Sequence, residues 1–415
     1  MNSIVKKSVD HRELGAALEL FYIDEEIGRG LPIWLPRGYA IREALERWMA
    51  ELESEHGYER VLSPALAKPG LFVRSGHLPY YADSMFPAMK VDEGEEYRLR
   101  PMNCPHHHRI YDHKPRSYRD LPLRIAEFGQ VYRFEDSGAI AGLSRARALC
   151  INDAHIYCRR DQLDAELDGV LALYRQAFRD LGIERFQLRL SKGDAQQSEK
   201  FVAQAEAWAW AEGVLREALR REGSEFEEAV GEAAFYGPKI DVLIESARGK
   251  METISTVQLD FVGAERFDLK YRAADGSDER PYILHRAPIG SFERIVAYLL
   301  EKDEGRLPLW LSPEVVRVLP LGSAQCQAGE RLVQELRRAG VRALLDPADE
   351  SLANRIKKAH ADGAVMVAVL GEREVSAGSV SVRSLRGGGS AKVWPLDEYK
   401  DSLALHVKMR KNDEW

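Results

Sequence analysis

The amino-acid sequence predicts an α+β protein, with a large antiparallel sheet flanked by helices and then a smaller three-layer α/β domain. Three observations predict it. Strand-like runs are dense from residue 58 to residue 290, without the regular helix alternation that a parallel βαβ sheet requires. From residue 315 the rhythm changes to strand, helix, strand, helix, strand, the pattern of a compact α/β unit. The helices of the first part carry apolar residues at a 3.6-residue period. The domains are expected at 1–307 and 308–415.

The chain has 415 residues, 45% of them apolar and 30% charged, an ordinary globular composition. That length favours two or three domains, each with a core of its own. The longest apolar runs, such as Val365 to Leu370, are strand-sized and far short of a membrane span. Met1 to Lys7 lacks the apolar core of a signal peptide. The four cysteines, Cys104, Cys150, Cys158 and Cys326, are too few and scattered for a disulfide framework. A reducing cytoplasm is the expected compartment, with Cys104 free to act as a thiolate ligand. A net charge of −7 argues against a protein that coats nucleic acid indiscriminately, but it allows RNA to be engaged through local patches.

Taken in order, Asp10 to Leu20 reads as a short helix. Ile41, Leu45, Trp48, Met49 and Leu52 then mark an amphipathic helix that His56-Gly57 ends. Tyr58 to Pro64 is expected as a strand, with Pro64 at an edge or interface position. Arg119 to Phe128 alternates as a half-buried antiparallel strand does. Gly138 and Gly142 bracket a mobile loop, and Ala148 to Cys158 returns as a second strand. A helix with Leu163, Leu167, Val170, Leu171, Tyr174 and Phe178 on one face ends at Gly182. Phe186 to Leu190, Ala234 to Asp241 and Thr253 to Phe261 are strand-like, Trp208 to Glu222 is helical, and Arg286 to Leu300 is expected as a helix. Beyond residue 308, strands fall at Val315 to Leu321, Val341 to Leu345, Val365 to Leu370 and Ser379 to Ser384. Helices fall at Gly329 to Ala339, Leu352 to His360 and Leu396 to Val407.

The densest chemistry lies in residues 100–155, where a thiol, imidazoles, carboxylates and arginines crowd together. Cys104 and His155, with His285 as a further candidate, are N/S donors of the kind that hold a catalytic zinc with one position open. Equally, Cys104 reads as a small buried hydrophobe and His155 as a satisfied core histidine, and the spacing does not choose. The consecutive His106, His107 and His108 sit on a strand or loop, where side chains diverge, so at most one is expected to point inward. Arg133 and Glu135 are expected on one face of a strand, with Arg145, Arg147 and Arg294 nearby. Guanidinium forks suit bidentate phosphate contacts, although most Arg/Glu pairs are surface ion pairs. Neither a G-x-G-x-x-G nor a Walker loop is present, so any nucleotide must be held by arginines on the sheet.

Ordered motifs settle more than spacing does. Asp10-His11-Arg12-Glu13-Leu14-Gly15, Arg74-Ser75-Gly76-His77 and Arg100-Pro101-Met102-Asn103-Cys104-Pro105 come first. Ser117 to Glu127, Asn152-Asp153-Ala154-His155-Ile156, Ala234 to Lys239 and Thr256 to Phe261 follow. Across residues 10–415 these resemble the threonyl-tRNA synthetases of class II. The resemblance implies a class II synthetase antiparallel sheet followed by an anticodon-binding domain. It also implies ATP-dependent ligation of L-threonine to tRNA(Thr) through threonyl-adenylate. One zinc per subunit would be held by Cys104, His155 and His285 and bound by the amino and hydroxyl groups of threonine. Valine is isosteric with threonine, and a metal that needs an oxygen ligand rejects it where an apolar pocket cannot. Asp153 would accept the hydroxyl proton, and Tyr236 would sit near the amino group. Arg133 would bridge the carboxylate and the α-phosphate. Glu135 would read adenine, while Arg145 and Arg294 would hold the outer phosphates with magnesium. Lys239, Gln258 and His77 match further catalytic positions, His77 for transfer to the tRNA. Glu374 and Arg383 match anticodon-reading positions, and the helix at 40–56 with Pro64 matches the homodimer interface.

Two departures stand out. The family usually carries a large N-terminal extension with an editing domain, whereas this sequence starts almost directly at the expected catalytic domain. Ala148 replaces an expected glycine, and Leu149 stands where an aromatic or methionine side chain is usual. A paralogue used as a self-resistance or stress copy, or one that activates threonine for another acceptor, is the competing reading. A non-catalytic sensor is a third.

Overall fold

A computed structural model of the protein describes residues 9–92, 94–197, 200–246, 249–347, 349–387 and 389–411. The Met1 to Lys7 segment lies outside them. The chain divides into two compact units. One comprises Met1–Tyr22, Ile33–Arg47 and Leu299–Trp415, the other Ile23–Pro32 and Trp48–Tyr298.

The second of these units is built on an eight-stranded sheet. Its strands are β1 (Glu59–Arg60), β2 (Leu123–Tyr132), β3 (Ala148–Cys158), β4 (Gln187–Lys192), β5 (Phe226–Val230), β6 (Lys239–Glu245), β7 (Met251–Asp260) and β8 (Tyr282–Ala287). They lie in the order β5-β4-β6-β7-β8-β3-β2-β1. Pairing is antiparallel throughout except at the two edges, where β5 runs parallel to β4 and β1 to β2. The helix Leu163–Asp180 packs against β3 through buried Leu167, Val170, Leu171, Tyr174 and Phe178. It ends just before Gly182, whose φ of 63° is the left-handed turn that glycine permits. The Tyr174 hydroxyl donates to the Thr256 carbonyl and accepts from Ala287 N, so one side chain ties this helix to both β7 and β8.

Several elements differ from expectation. Only Glu59 and Arg60 form a strand within Tyr58 to Pro64. The strand expected from Arg119 begins at Leu123, because Tyr118–Asp120 is a 3₁₀ turn. Ser117 and Asp120 close that turn as a capping box, satisfying backbone donors that a ladder would otherwise use. Arg286 and Ala287 belong to β8, where they pair with β3 and β7, and the helix starts only at Phe292. Cys104–Tyr111 is a helix with proline in its first turn, where a missing N–H costs nothing. That helix also overturns the expectation for the histidines, since His106, His107 and His108 are all buried.

In the other unit a five-stranded sheet runs in the order β10-β9-β11-β12-β13. Here β9 is Val316–Pro320, β10 Ala343–Leu345, β11 Met366–Leu370, β12 Ser379–Ser384 and β13 Lys392–Pro395. The first three strands in this order are parallel and the last two antiparallel. Val316, Val318, Met366 and Ala368 meet Leu332, Leu336, Tyr399 and Leu403 of the helices Ser323–Arg338 and Leu396–Lys408. Leu319 and Val367 instead join Ala359 and Ile356 of the helix Leu352–Ala361. Alternate residues of the same strands therefore feed two cores, the signature of three layers. Strand β13 has no counterpart among the predicted elements.

Candidate functional site

The ladder of the large sheet assembles a row of the side chains that the sequence singled out. Lys239 on β6 stands opposite Gln258 on β7, Gln258 opposite His285 on β8, and His285 opposite His155 on β3. Directly opposed residues in antiparallel strands share one face, and Asp153 joins that face two residues before His155. Cys104 enters as the first residue of its helix. Asn103, just before it, lies so close over Gly129 that a Cβ there would fall 2.3 Å from the amide. The Asn103 amide donates to Asp153 Oδ2 at 2.8 Å. Burial pushes the Asp153 carboxyl up. Tyr236 stacks on the His285 ring, with centroids 4.8 Å apart, and donates to Gln258 Oε1.

Cys104, His155 and His285 each offer one donor atom, all within 4.8 Å of one another. The surrounding hydrogen bonds decide which nitrogen is bare. Asp260 accepts from His285 Nε2 at 3.0 Å, which leaves His285 Nδ1 as a lone pair. Glu127 accepts from His107 Nε2 at 3.0 Å, so His107 Nδ1 must accept from His155 Nδ1 at 2.9 Å. That leaves His155 Nε2 bare as well. These two lone pairs face each other across 2.9 Å and repel unless a cation or a proton lies between them. Burial, reinforced by His285 and His107, holds His155 well below its usual pKa, which disfavours the proton. The Cys104 thiol is pushed well up by burial and by the Asp153 and Asp260 carboxylates, so only a bound cation would hold it as thiolate. The donor set fits zinc with a fourth position open to the cleft. His108, Asp260 and His285 form a second cluster, but there the His285 nitrogen already donates to Asp260 and the other Asp260 oxygen accepts from Val262 and Gly263 N–H. A third cluster, Asp10, His11 and Glu301, belongs to the other unit.

Cys104, Arg133, Asp153, Tyr236, Gln258, His285 and Arg294 line one cleft, together with Leu149. Arg133 is not on a strand, because β2 ends at Tyr132. Glu135 therefore shares no strand face with it, and its carboxylate pairs with Arg145 at 2.8 Å. Among the described residues the Arg133 guanidinium reaches only the Pro101 carbonyl, at 3.4 Å. Arg294 donates to the carbonyls of Ser144 and Thr253. Neither guanidinium has a carboxylate partner among the described residues. Burial and the nearby Arg133 pull the Arg294 pKa down, the opposite of an arginine in an ion pair. Two forks without counter-ions beside a cleft call for an anion. Lys239, by contrast, is spent on Asp241, with Nζ 2.7 Å from Oδ1. His77 lies buried with Nδ1 2.8 Å from Ser75 Oγ and Nε2 3.3 Å from Met102 Sδ. Ala148 opens β3 with φ outside the left-handed region, so alanine is accommodated there without backbone strain.

In the other unit Glu374 turns back to accept from Gly371 N at 3.0 Å. Arg383 lines a separate cavity with Arg306, Lys357, His360 and Arg386. Sequence reasoning missed His107, Asp260 and Asn103, which bond directly to His155, His285 and Asp153, and Glu127, which reaches His155 through His107. The signal was there in part, since Glu127 and Asp260 fall inside quoted motifs.

With sheet, helix and cleft in place, residues 88–303 match the family of the tRNA synthetase class II core domain (G, H, P, S and T). Residues 315–404 match the anticodon binding domain. The fold and site thus define a class II aminoacyl-tRNA synthetase core. Similar curated proteins are the threonine–tRNA ligases of Staphylococcus carnosus, 42% identical over 98% of this chain, and of Prosthecochloris aestuarii, 43% identical over 97% of it. The chain spans 63% and 62% of the length of those two proteins. A solved structure, the RNA binding domain of threonyl-tRNA synthetase from Cryptosporidium parvum, superposes with a TM-score of 0.91 at 33% identity, covering 98% of this chain and 99% of that one. This chain belongs to the threonyl-tRNA synthetase family. No helix among the described residues is long and apolar enough to cross a membrane.

Proposed function

We propose that the protein ligates L-threonine to tRNA(Thr) in two ATP-dependent steps through threonyl-adenylate, in the cytoplasm and as a homodimer. Residues 1–307 would act as the catalytic part and 308–415 as the anticodon-binding part. The observation that carries this reading is the cleft itself, lined by Cys104 and His285 of the three-donor cluster and by Arg133 and Arg294, two arginines without a carboxylate partner among the described residues. Zinc held by Cys104, His155 and His285 would supply an electrophilic position for the amino and hydroxyl groups of threonine. Asp153, steadied by Asn103, accepts the hydroxyl proton, and Tyr236 orients the amino group. Arg133 bridges the threonine carboxylate and the α-phosphate, where negative charge grows as the carboxylate oxygen attacks phosphorus. Gln258 sits beside Tyr236, and Lys239 orders the neighbouring strand through Asp241. Glu135 reads adenine, and Arg145 and Arg294 hold the outer phosphates with Mg²⁺. Glu374 and Arg383 would read anticodon bases.

Pyrophosphate exchange with threonine, serine and valine, followed by charging of tRNA(Thr), tests the reading. Threonine and, more weakly, serine should support exchange, valine should not, and charging should follow. Exchange without charging would point to another acceptor, and no exchange to a sensor.

The state of His77 gives a separate expectation. Burial, then the fields of His285 and Arg266, lower its pKa to about 3. Its ring is therefore neutral across roughly pH 5 to 8 and offers one N–H donor and one bare nitrogen acceptor during transfer. Single-turnover transfer to tRNA should show no inflection near the ordinary value of 6.5 that is traceable to this residue. An inflection there that vanishes in His77→Ala would contradict the assignment.

A further inference from the structure

Resting on the zinc reading above, we infer that Asp260 on one side and the His107–Glu127 pair on the other are positioning residues. They lock the tautomers of His285 and His155 so that both bare nitrogens converge on one point. The argument is geometric. The Asp260 carboxylate is fixed in orientation because its Oδ1 accepts two backbone N–H groups, from Val262 and Gly263, both at 2.8 Å. Only Oδ2 remains for His285, so Nε2 carries the hydrogen and Nδ1 faces the site. Glu127 is fixed in the same way. Its two oxygens accept from Ser63 N and Oγ, Arg100 Nη2 and His107 Nε2. His107 then has a bare Nδ1 toward His155, which obliges His155 to place its hydrogen on Nδ1 and its lone pair on Nε2. Asp260, His285, Glu127, His107 and His155 are all buried, so water cannot substitute for a lost partner. Imidazole ligands characteristically rest on such outer hydrogen bonds, and removing one weakens metal binding by roughly 10- to 100-fold.

Asp260→Asn gives a clean reversal. The two backbone donors hold the amide oxygen, so the amide NH₂ must face His285 and donate to Nε2. The ring hydrogen then moves to Nδ1, pointing an N–H at the metal position. With the full chain, zinc affinity measured by chelator competition should fall at least about tenfold in Asp260→Asn. It should also fall in His107→Phe, which removes the acceptor for His155. The Co²⁺-substituted protein should show an altered ligand-field spectrum while its circular dichroism stays that of the parent. Cys104→Ala is the control. If it keeps full zinc, the zinc reading fails and this inference with it. If Cys104→Ala empties the site but Asp260→Asn and His107→Phe bind zinc like the parent with an unchanged Co²⁺ spectrum, only the inference is overturned. Should a variant not fold, ¹⁵N-histidine NMR of the unaltered metal-free chain decides instead. Hydrogen on His285 Nε2 and His155 Nδ1 supports the inference, and the opposite tautomers overturn it.

Discussion

Replacing Cys104 with alanine is expected to reduce zinc from one equivalent per chain to a trace and to lower threonine-dependent pyrophosphate exchange by roughly a thousandfold, about 4 kcal/mol of transition-state stabilisation. Cys104 contributes the only sulfur to the donor cluster, and two imidazoles alone leave a cation undercoordinated. The fold should survive, because the side chain lost is small and buried at a helix start, where alanine is a good helix former. Residual exchange should also lose its preference for threonine over valine, since that preference needs a hydroxyl-seeking centre. Metal analysis and exchange assays on the same preparation make the check. Unchanged zinc content would sink the ligand assignment, whereas zinc loss with full threonine selectivity would sink the recognition role.

A second large effect is expected at Glu53, far less conspicuous in the sequence. Its carboxylate is fully buried and serves three partners: Arg286 at 2.7 Å, Asn152 at 2.7 Å and Arg60 at 3.0 Å. The Arg286 guanidinium is itself inaccessible and lies 3.9 Å over the Tyr58 ring. Glu53→Ala leaves that cation buried without a counter-ion, a change that costs roughly 3–5 kcal/mol. Because Arg286 adjoins His285 on β8, zinc affinity should drop with stability. Urea unfolding of Glu53→Ala, and of Glu53→Met with Arg286→Met, separates the causes. The double variant should recover much of the loss, because replacing both charges removes the stranded one. A loss below about 1 kcal/mol in the single variant would show that the pair is not what holds this region together.

The legible parts of the sequence were those with a strong period or a strong stop. Ala148–Cys158 was read with its observed limits, and Leu163–Asp180 was marked by its apolar stripe and by Gly182. The strand-helix rhythm after residue 308 matches the structure except for β13 and the short helix Glu372–Ser376. The misreadings have a common physical origin. His106 to His108 carry no helical period, so Cys104–Tyr111 was recognisable only from its proline, which can also signal a loop. Arg133 and Glu135 lie past the end of β2, where continued backbone pairing, Arg133 N to Arg147 O at 2.8 Å, imitates a strand without making one. Arg286 reads as helical from its neighbours, yet pairing with β3 and β7 overrides local preference. Residue type makes Cys104, His155 and His285 candidates, and only the resemblance chooses the metal reading over the core one. Their hydrogen-bonded supports were not legible, because those depend on which strands become neighbours, and no local pattern encodes that.

The row of opposed residues on β6, β7, β8 and β3 has a thermodynamic consequence. Two of the three candidate donors sit on strands far apart in sequence and the third on a helix, so the unfolded chain cannot gather them. Zinc would bind the finished sheet alone, and by mass action every tenfold rise in free metal above its dissociation constant would add about 1.4 kcal/mol to the native state. If the proposed function holds, chelation should therefore lower the melting temperature of the large sheet as well as abolish threonine-dependent exchange. A metal held there would double as a clasp that keeps its own sheet closed.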